Sequence, residues 1–205
     1  IYIYQMILLK SKKEFNIGIV TIGKSPRLDI ESELQKTIDY DVDFTHSGAL
    51  DKIPPNQLID LAPLSDSDTL VTLVDDNTEV QVSHEKLTEI LYENISEIIS
   101  KVDVIVMACT GYEEMGNYQK PILFPGKITE NLIVDYSNKK DFKLGVVQPH
   151  SNQIKKEFEK WNSKNIIADV YASSPYGNVN VPADQNWIDV KNSFVQFNPD
   201  LVYLN

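Results

Sequence analysis

Asp103-Val104-Ile105-Val106-Met107-Ala108-Cys109 is a short apolar run between an acidic residue and the only cysteine of the chain. Buried strands of parallel sheets have this composition, because both of their faces are covered and no polar alternation is needed. The last residues of the sequence, Asp200-Leu201-Val202-Tyr203-Leu204-Asn205, follow the same pattern at an offset of 200 − 103 = 97 residues. The chain therefore contains one type of strand twice.

Two further pairs of segments match in the same order along the chain. Phe15–Val20 resembles Phe142–Val147 at an offset of 142 − 15 = 127 residues. Asp41–Ser47 resembles Asp169–Pro175 at an offset of 169 − 41 = 128 residues. Three matches in one order predict an α/β fold of two pseudo-symmetric lobes, each with a mostly parallel sheet flanked by helices.

The first half of the chain carries an insertion of 127 − 97 = 30 residues. Within it, Leu70–Val74 and Glu79–Val82 flank the turn residues Asp75, Asp76 and Asn77, which predicts a β-hairpin. The hairpin belongs to lobe one.

The division of the chain follows from these matches. We place lobe one at residues 16–118 and lobe two at residues 119–205. Residues 1–15 are interpreted as an N-terminal extension or an artefact. We expect lobe two to be truncated at its C-terminal end, because no helix follows its last strand.

Three amphipathic segments with helical spacing lie between the predicted strands. Ser83 is a suitable N-cap for the first, and His150 or Ser151 precedes the second. The side chains that we expect to face inward in the second are Ile154, Phe158 and Trp161. The apolar residues of the first and third segments are Leu87, Ile90, Leu91, Ile95, Ile98 and Ile99, and Trp187, Val190, Phe194 and Val195.

Charge and cysteine content exclude several classes of function. The net charge of −11 repels phosphate backbones, so we expect no nucleic-acid partner. No run reaches the ~20 apolar residues of a membrane helix, so we expect no membrane partner. A single cysteine cannot form an intramolecular disulfide, which fits a cytoplasmic protein. Because glycine-rich nucleotide-binding motifs are absent from the sequence, we expect no cofactor.

The loops after the predicted strands are rich in small, hydroxylated and cationic residues. Ligands of open α/β sheets bind beyond the carboxyl ends of the strands, and such loops supply donors and close backbone approach to a carboxylate. Ser25 and Ser174 each precede a proline and serve equally well to shape turns. The residues that we expect to contact the ligand are Ser25, Pro26, Arg27, Thr110, Gly111, Ser173 and Ser174.

Cys109 is the candidate catalytic residue. A thiol just after a strand and before a helix start has its pKa lowered towards neutrality, and it then acts as a base or a nucleophile. The alternative is a small buried apolar side chain, which is how most free cysteines behave. The counterpart of Cys109 in the second lobe would be the residue after Asn205, facing it across the cleft.

Arg27 and the histidines also have alternative interpretations. Arg27 either clamps a ligand carboxylate in bidentate fashion or pairs with a neighbouring acid such as Asp29. We interpret His84 as a surface residue at a helix terminus, whereas His46 and His150 are candidates for the cleft. Three scattered histidines lack the spacing of metal ligands, so we expect no metal.

The chain resembles the AroM family. Thr21-Ile22-Gly23-Lys24-Ser25-Pro26-Arg27 with Asp29 is similar to the opening signature of that family, and the resemblance covers residues 15–205. Further similar stretches, in the same order, are Ser47–Asp51, Leu61–Pro63, Leu70–Thr72, Cys109–Gly111, Pro125-Gly126 and Ser173–Tyr176.

The resemblance implies a relation to the aspartate/glutamate racemase superfamily. That relation implies two parallel-sheet lobes with a cleft between them, and racemases of the superfamily use two cysteines without a cofactor. Cys109 matches the first of these, and the second would fall after Asn205.

Two functions remain open from the sequence. One is cofactor-independent racemase, isomerase or lyase chemistry on a small carboxylate, with Cys109 as an acid/base, Thr110 and Ser25 holding the carboxylate, and Arg27 assisting. The other is a non-catalytic protein that binds a metabolite in the same cleft. The sequence also leaves open a homo-oligomer.

Overall fold

The short apolar runs of the first half form a four-stranded parallel sheet. In the computed structural model, which describes residues 15–75, 78–176 and 187–205, this sheet has the order β2-β1-β5-β6. Its strands are β1 (Phe15–Thr21), β2 (Val42–Gly48), β5 (Val104–Met107) and β6 (Ile122–Leu123). The predicted strands are confirmed, and the two-residue strand β6 was not predicted.

The second half forms a three-stranded parallel sheet of order β8-β7-β9. Its strands are β7 (Lys143–Gln148), β8 (Ile167–Ala172) and β9 (Leu201–Leu204). All three were predicted from the sequence. β9 lies at the edge of the sheet, and the side chain of Leu204 is 61% exposed, so its apolar composition does not make β9 a fully covered strand.

The insertion in the first half is an antiparallel hairpin, as predicted. Its strands are β3 (Thr69–Asp75) and β4 (Thr78–Ser83), and Leu70 pairs with Val82. The predicted tip residues Asp76 and Asn77 lie outside the described residues, as does all of the predicted N-terminal extension except Phe15.

Helices cover the sheets between the strands. Two of them, α1 and α3, were not predicted. In chain order the helices are α1 (Leu28–Thr37), α2 (His84–Ile98), α3 (Pro125–Tyr136), α4 (Ile154–Ser163) and α5 (Trp187–Phe197), with 3-10 turns at Pro55–Leu61, Asp66–Asp68 and Ser151–Gln153.

The helix starts predicted at Ser83 and His150 are confirmed, but one inward-facing residue is wrong. The hydroxyl of Ser83 accepts a hydrogen bond from the Lys86 amide, and His150 caps the turn that leads into α4. Phe158 of α4 is 48% exposed. The buried face of α4 instead carries Trp161, whose indole Nε1 donates to Glu157 Oε1 at 2.5 Å.

The strand registers test the three sequence matches. β1 pairs with β5 as β7 pairs with β9, so Val104 and Leu201 occupy equivalent positions at the predicted offset of 201 − 104 = 97. Phe44 of β2 pairs with Ile17 of β1, and Ala168 of β8 pairs with Leu144 of β7. By these registers Phe44 is matched with Ala168, at an offset of 168 − 44 = 124. With Ile17 matched to Leu144, the strand registers give an offset four residues smaller than the 128 that local similarity predicted, and the correspondence of the two halves stays a prediction.

Two hydrophobic cores lie among the described residues, one beside each parallel sheet. α3 connects them. Gly126 at its start lies against the Thr110 backbone of the first half, and Ile133 packs in the second core. β6 joins the first sheet although it follows the predicted boundary at residue 118, and the boundary itself stays a prediction.

A buried ion cluster joins α3 to α4. Glu130 is buried and lies within 3.0–3.1 Å of the ammonium groups of Lys127, Lys160 and Lys164. Burial acts to raise the pKa of Glu130, but the hydrogen bonds from the three lysines outweigh it and lower the pKa to about 2.

Among the helices of the described segments, none combines the length and the apolar composition that a membrane crossing requires.

Replacing Glu130 by glutamine (Glu130→Gln) leaves three lysines without their carboxylate. We expect the free energy of unfolding to fall by about 3 kcal/mol at neutral pH, the cost of removing one partner from a buried ion pair. Because the folded-state pKa is lowered from 4.5 to about 2, this stabilisation is present above pH 4.5 and is lost as the pH falls towards 2. Urea denaturation of both proteins across that range measures the difference.

Glu33→Gln is the matched control, since Glu33 forms an exposed ion pair with Lys36 on α1 at 2.6 Å. Exposed pairs contribute less than about 1 kcal/mol. Equal losses in the two variants would contradict the structural role of Glu130.

Candidate functional site

Two cavities lie at the carboxyl ends of the strands. The first, here the Arg27 cavity, has a volume of about 510 Å³. The second, here the Gln148 cavity, has a volume of about 420 Å³ and is lined by residues of both halves of the chain. The Arg27 cavity is lined by Thr21, Gly23, Lys24, Ser25, Pro26, Arg27, Asp29, Thr72, Leu73, Val74, Asp75 and Tyr176. The Gln148 cavity is lined by Ser67, Thr69, Leu70, His84, Thr110, Gly111, Tyr112, Glu113, Glu114, Gln148, Gln153, Lys156, Glu157, Lys160, Tyr203 and Asn205.

The structure divides the predicted site residues between these cavities. Ser25, Pro26 and Arg27 line the Arg27 cavity, whereas Thr110 and Gly111 line the Gln148 cavity. Arg27, Tyr112, Tyr176 and Tyr203 all lie close enough to Cys109 for their charges to interact with it. These residues come from both cavities, so Cys109 lies between them.

The loop after β1 is fixed by Asp51. One carboxylate oxygen of Asp51 accepts from the Ser25 amide at 2.8 Å, and the other accepts from the Ser25 hydroxyl at 2.6 Å and from the Gly48 amide at 2.8 Å. A Cβ atom at Gly48 would lie 2.7 Å from the Ser25 amide nitrogen, so only glycine allows this approach. The hydroxyl of Ser25 therefore shapes the loop.

Arg27 pairs with its neighbour, as one of the two interpretations predicted. Its guanidinium donates to both oxygens of Asp29, at 2.8 and 2.5 Å. This hydrogen-bonded pair raises the pKa of Arg27 and lowers that of Asp29. The Arg27 amide donates to His46 Nδ1, and His46 Nε2 lies 2.7 Å from Glu31, so His46 supports the loop.

The turn Thr110–Gly111 is held by close backbone packing. A Cβ atom at Gly126 would overlap the carbonyl oxygen of Thr110, so the start of α3 presses against this turn. A Cβ atom at Gly111 would lie 2.7 Å from Leu70 of the hairpin. The predicted helix start after Cys109 is wrong: the chain makes a turn there, and the next helix is α3.

The Cys109 thiol has a raised pKa, contrary to the direction that its position predicted. Burial raises the pKa to about 11. Hydrogen bonds from the Gly111 and Tyr112 amides and the charge of Arg27 act in the opposite direction but do not outweigh burial. The thiol is therefore protonated at neutral pH.

A chain of polar side chains crosses the floor of the Gln148 cavity. The Thr110 side chain lies close enough to Tyr203 to act on its pKa, and the Tyr203 hydroxyl donates to Asn205 Oδ1 at 2.9 Å. Asn205 Nδ2 donates to Gln148 Oε1 at 2.8 Å. Burial raises the pKa of Tyr203 to about 12, so its hydroxyl stays protonated and remains a donor.

Charged groups lie around the same cavity. His84 begins α2, as predicted, but it is half-buried and stacks on Tyr112 with ring centroids 4.3 Å apart. Burial and the nearby charge of Lys156 lower the pKa of His84, so its imidazole is neutral at neutral pH. The Lys156 ammonium group donates to the Ser67 carbonyl at 3.4 Å, and Lys160 pairs with Glu113 at 2.7 Å.

Ser173 and Ser174 are buried and hold backbone and hairpin in place. The Ser173 amide donates to the Gln148 carbonyl at 2.9 Å. The Ser174 hydroxyl donates to the Glu79 carboxylate of β4 and accepts from the Tyr176 amide. These contacts position Tyr176 at the Arg27 cavity, and a direct contact of either serine with ligand stays a prediction.

Several cavity residues were not predicted from the sequence. The sequence places Gln148 and Asn205 at strand ends, but no sequence motif marks an amide side chain at such a position as part of a site. Tyr203 was assigned to a buried strand, and the hairpin was treated only as an insertion in lobe one. Both cavities in fact have hairpin residues in their walls, from Thr69 to Asp75. Among the described residues, no group of three or more His, Cys, Asp or Glu side chains could hold a metal ion.

Comparison with known protein families gives one match. The model of a family described as "AroM protein" matches residues 17–205. Comparisons with curated proteins and with solved structures give no match.

The pKa of Cys109 can be measured directly, because it is the only cysteine of the chain. We expect the rate of alkylation by iodoacetamide to rise with pH with an apparent pKa of about 11. Arg27→Gln removes a positive charge that favours the thiolate, so it should slow alkylation at neutral pH by about two- to fivefold. Lys36→Gln removes an exposed charge on α1 and should change nothing. An apparent pKa below about 8.5 would contradict the burial of the thiol.

Proposed function

We propose that this chain, which belongs to the AroM family, binds a small carboxylate in the Gln148 cavity. The observation that carries the proposal is the convergence of hydrogen-bonding side chains from the strand ends of both parallel sheets. Thr110 comes from the first sheet, and Gln148, Tyr203 and Asn205 come from the second. Side chains placed in this way favour a compact polar ligand over an apolar one.

Three glutamates and two lysines line the cavity, and the charge of Lys156 supports an anionic ligand at its own end. Lys160 is held by Glu113 and Glu130, so much of its charge is compensated. Lys156 donates to a neutral carbonyl, and its charge is strong enough at His84 to lower the pKa of that residue. The neutral His84 therefore leaves Lys156 as the cation that attracts the carboxylate.

We further propose that the two sheets are pseudo-symmetric lobes with the ligand between them. Each sheet has the first strand of its half at the centre, in the orders β2-β1-β5 and β8-β7-β9. Asp103 exchanges hydrogen bonds with the Asn16 backbone, its amide donating at 2.7 Å and its carboxylate accepting at 3.0 Å. Asp200 makes the same two contacts with the Lys143 backbone, at 2.8 and 2.9 Å.

Binding without catalysis is the function that the state of Cys109 favours. Abstraction of an α-proton in a racemase-like or isomerase reaction needs a thiolate, and a pKa of about 11 leaves almost none at neutral pH. The same observation favours a second candidate, a lyase in which the protonated thiol acts as an acid. Loss of carbon dioxide from a carboxylate leaves an electron pair on the α-carbon, and the Cys109 proton can be transferred there.

Binding is tested by calorimetric titration with succinate, benzoate and the uncharged analogue benzamide. We expect benzoate or succinate to bind and benzamide to bind at least tenfold more weakly, because a charge-assisted hydrogen bond contributes roughly 1.5–3 kcal/mol. Lys156→Met should weaken carboxylate binding by about tenfold for the same reason. Lys36→Met, on the remote helix α1, serves as the control and should bind as the wild type does. Absence of binding by both carboxylates, or equal affinity for benzoate and benzamide, would falsify the proposal.

The lyase candidate is tested with a malonate in D₂O, since its second carboxylate stabilises the carbanion. We expect one deuterium at the α-carbon of each product molecule, and a slower release of carbon dioxide in Cys109→Ser because the acid that protonates the carbanion is removed. Proton and deuterium NMR of the product give the measurement. A Cys109→Ser variant that still binds succinate but releases carbon dioxide at the wild-type rate excludes Cys109 as the acid.

A further inference from the structure

Gln148 presents a buried amide group whose hydrogen-bonding capacity is only half used. Its side chain is 2% exposed and lines the Gln148 cavity at the end of β7. Oε1 accepts from Asn205 at 2.8 Å, whereas Nε2 has no partner among the described residues. Buried polar groups of native proteins are almost always paired, so a donor left open at a cavity wall indicates a partner from outside the chain.

The orientation of this amide follows from its neighbours. The Tyr203 hydroxyl donates to Asn205 Oδ1, which turns the Asn205 amide nitrogen towards Gln148. An oxygen of Gln148 must face that nitrogen, because two amide NH₂ groups in contact would repel each other. In this arrangement the Gln148 NH₂ group is directed away from Asn205.

The carbonyl side of the same residue is also fixed. The main-chain oxygen of Gln148 accepts from the Ser173 amide at 2.9 Å, and the Asn205 amide donates to Val147 at 3.0 Å. Backbone and side chain are therefore held from two neighbouring strands. Little reorganisation is needed for ligand binding, which favours affinity at a small entropic cost.

We propose that Gln148 Nε2 donates a hydrogen bond to an oxygen of the ligand. This hydrogen bond selects a ligand with a carboxylate or carbonyl group at this end of the cavity. The inference rests on the proposed function and adds the residue that determines specificity. Lys156 attracts the ligand by its charge, and Gln148 fixes the position of the ligand oxygen. A ligand group that only donates hydrogen bonds, such as an ammonium group, finds no acceptor at Nε2.

The test is ¹H–¹⁵N NMR of the side-chain amides of the wild-type protein during titration with succinate and benzoate. The Gln148 NH₂ signals are assigned by their absence from Gln148→Glu. On binding, we expect one of the two Gln148 amide protons to shift downfield as it donates to the carboxylate. The Asn94 NH₂ group is an internal control, since it is also buried without a partner among the described residues but lies in α2.

Gln148→Glu gives the affinity arm of the same test. Glutamate keeps an oxygen for Asn205 Nδ2 and replaces the donor by an acceptor, so carboxylate affinity should fall at least tenfold. Gln35→Glu introduces the same charge on the exposed face of α1 and should leave the affinity unchanged. Thermal unfolding of each variant shows whether the fold is kept, and the wild-type NMR titration does not depend on either variant.

The outcomes separate this inference from the proposed function. A carboxylate that binds while the Gln148 amide signals stay unmoved overturns the role of Gln148 and leaves carboxylate binding intact. If neither succinate nor benzoate binds the wild-type protein, carboxylate binding and the role of Gln148 fall together. A downfield shift of Gln148 with an unmoved Asn94 supports both.

Discussion

The close approach of Thr110 to Tyr203, near enough for the Thr110 side chain to act on the Tyr203 pKa, is the contact on which the site depends. Thr110 follows the last long strand of the first sheet, and Tyr203 lies on the last strand of the second. Close packing of Gly126 against Thr110 fixes one side of this contact, and the pairing of Asp200 with β7 fixes the other. The carboxyl ends of two separate parallel sheets thereby form one polar floor.

Residues of the β3–β4 hairpin form part of the walls of both cavities. The hairpin is an insertion relative to the second half, yet its residues line both cavities and contact the second half through polar groups. Glu79 accepts from Ser174, Gln81 meets His150 at 3.0 Å, and Asn152 reaches Thr69 at 3.4 Å. The contact between the hairpin and the second half is made of hydrogen bonds. It resembles transient interfaces, which are more polar than domain cores.

Local burial, not net charge, sets the chemistry of the site. The chain carries a net charge of −11, but the groups nearest Cys109 are two backbone amides and Arg27, all of which favour a thiolate. Burial still dominates, and the thiol stays protonated. The same desolvation keeps His84 neutral and the Tyr203 hydroxyl a donor, so neutral hydrogen-bonding groups line the cavity together with two lysines and three glutamates.

The sequence by itself determined the parallel strands, the hairpin and the Ser83 cap, because these depend on periodicity and on contacts within a few residues. It also located the loops that line the cavities, since strand ends are readable as the limits of apolar runs. The tertiary structure alone decided the four-residue shift in strand correspondence and the exposure of Phe158. It alone decided, too, that Gln148 presents an unpaired donor. Each of these depends on which side chains meet across different strands and helices, and a single sequence does not encode such distances in any local pattern.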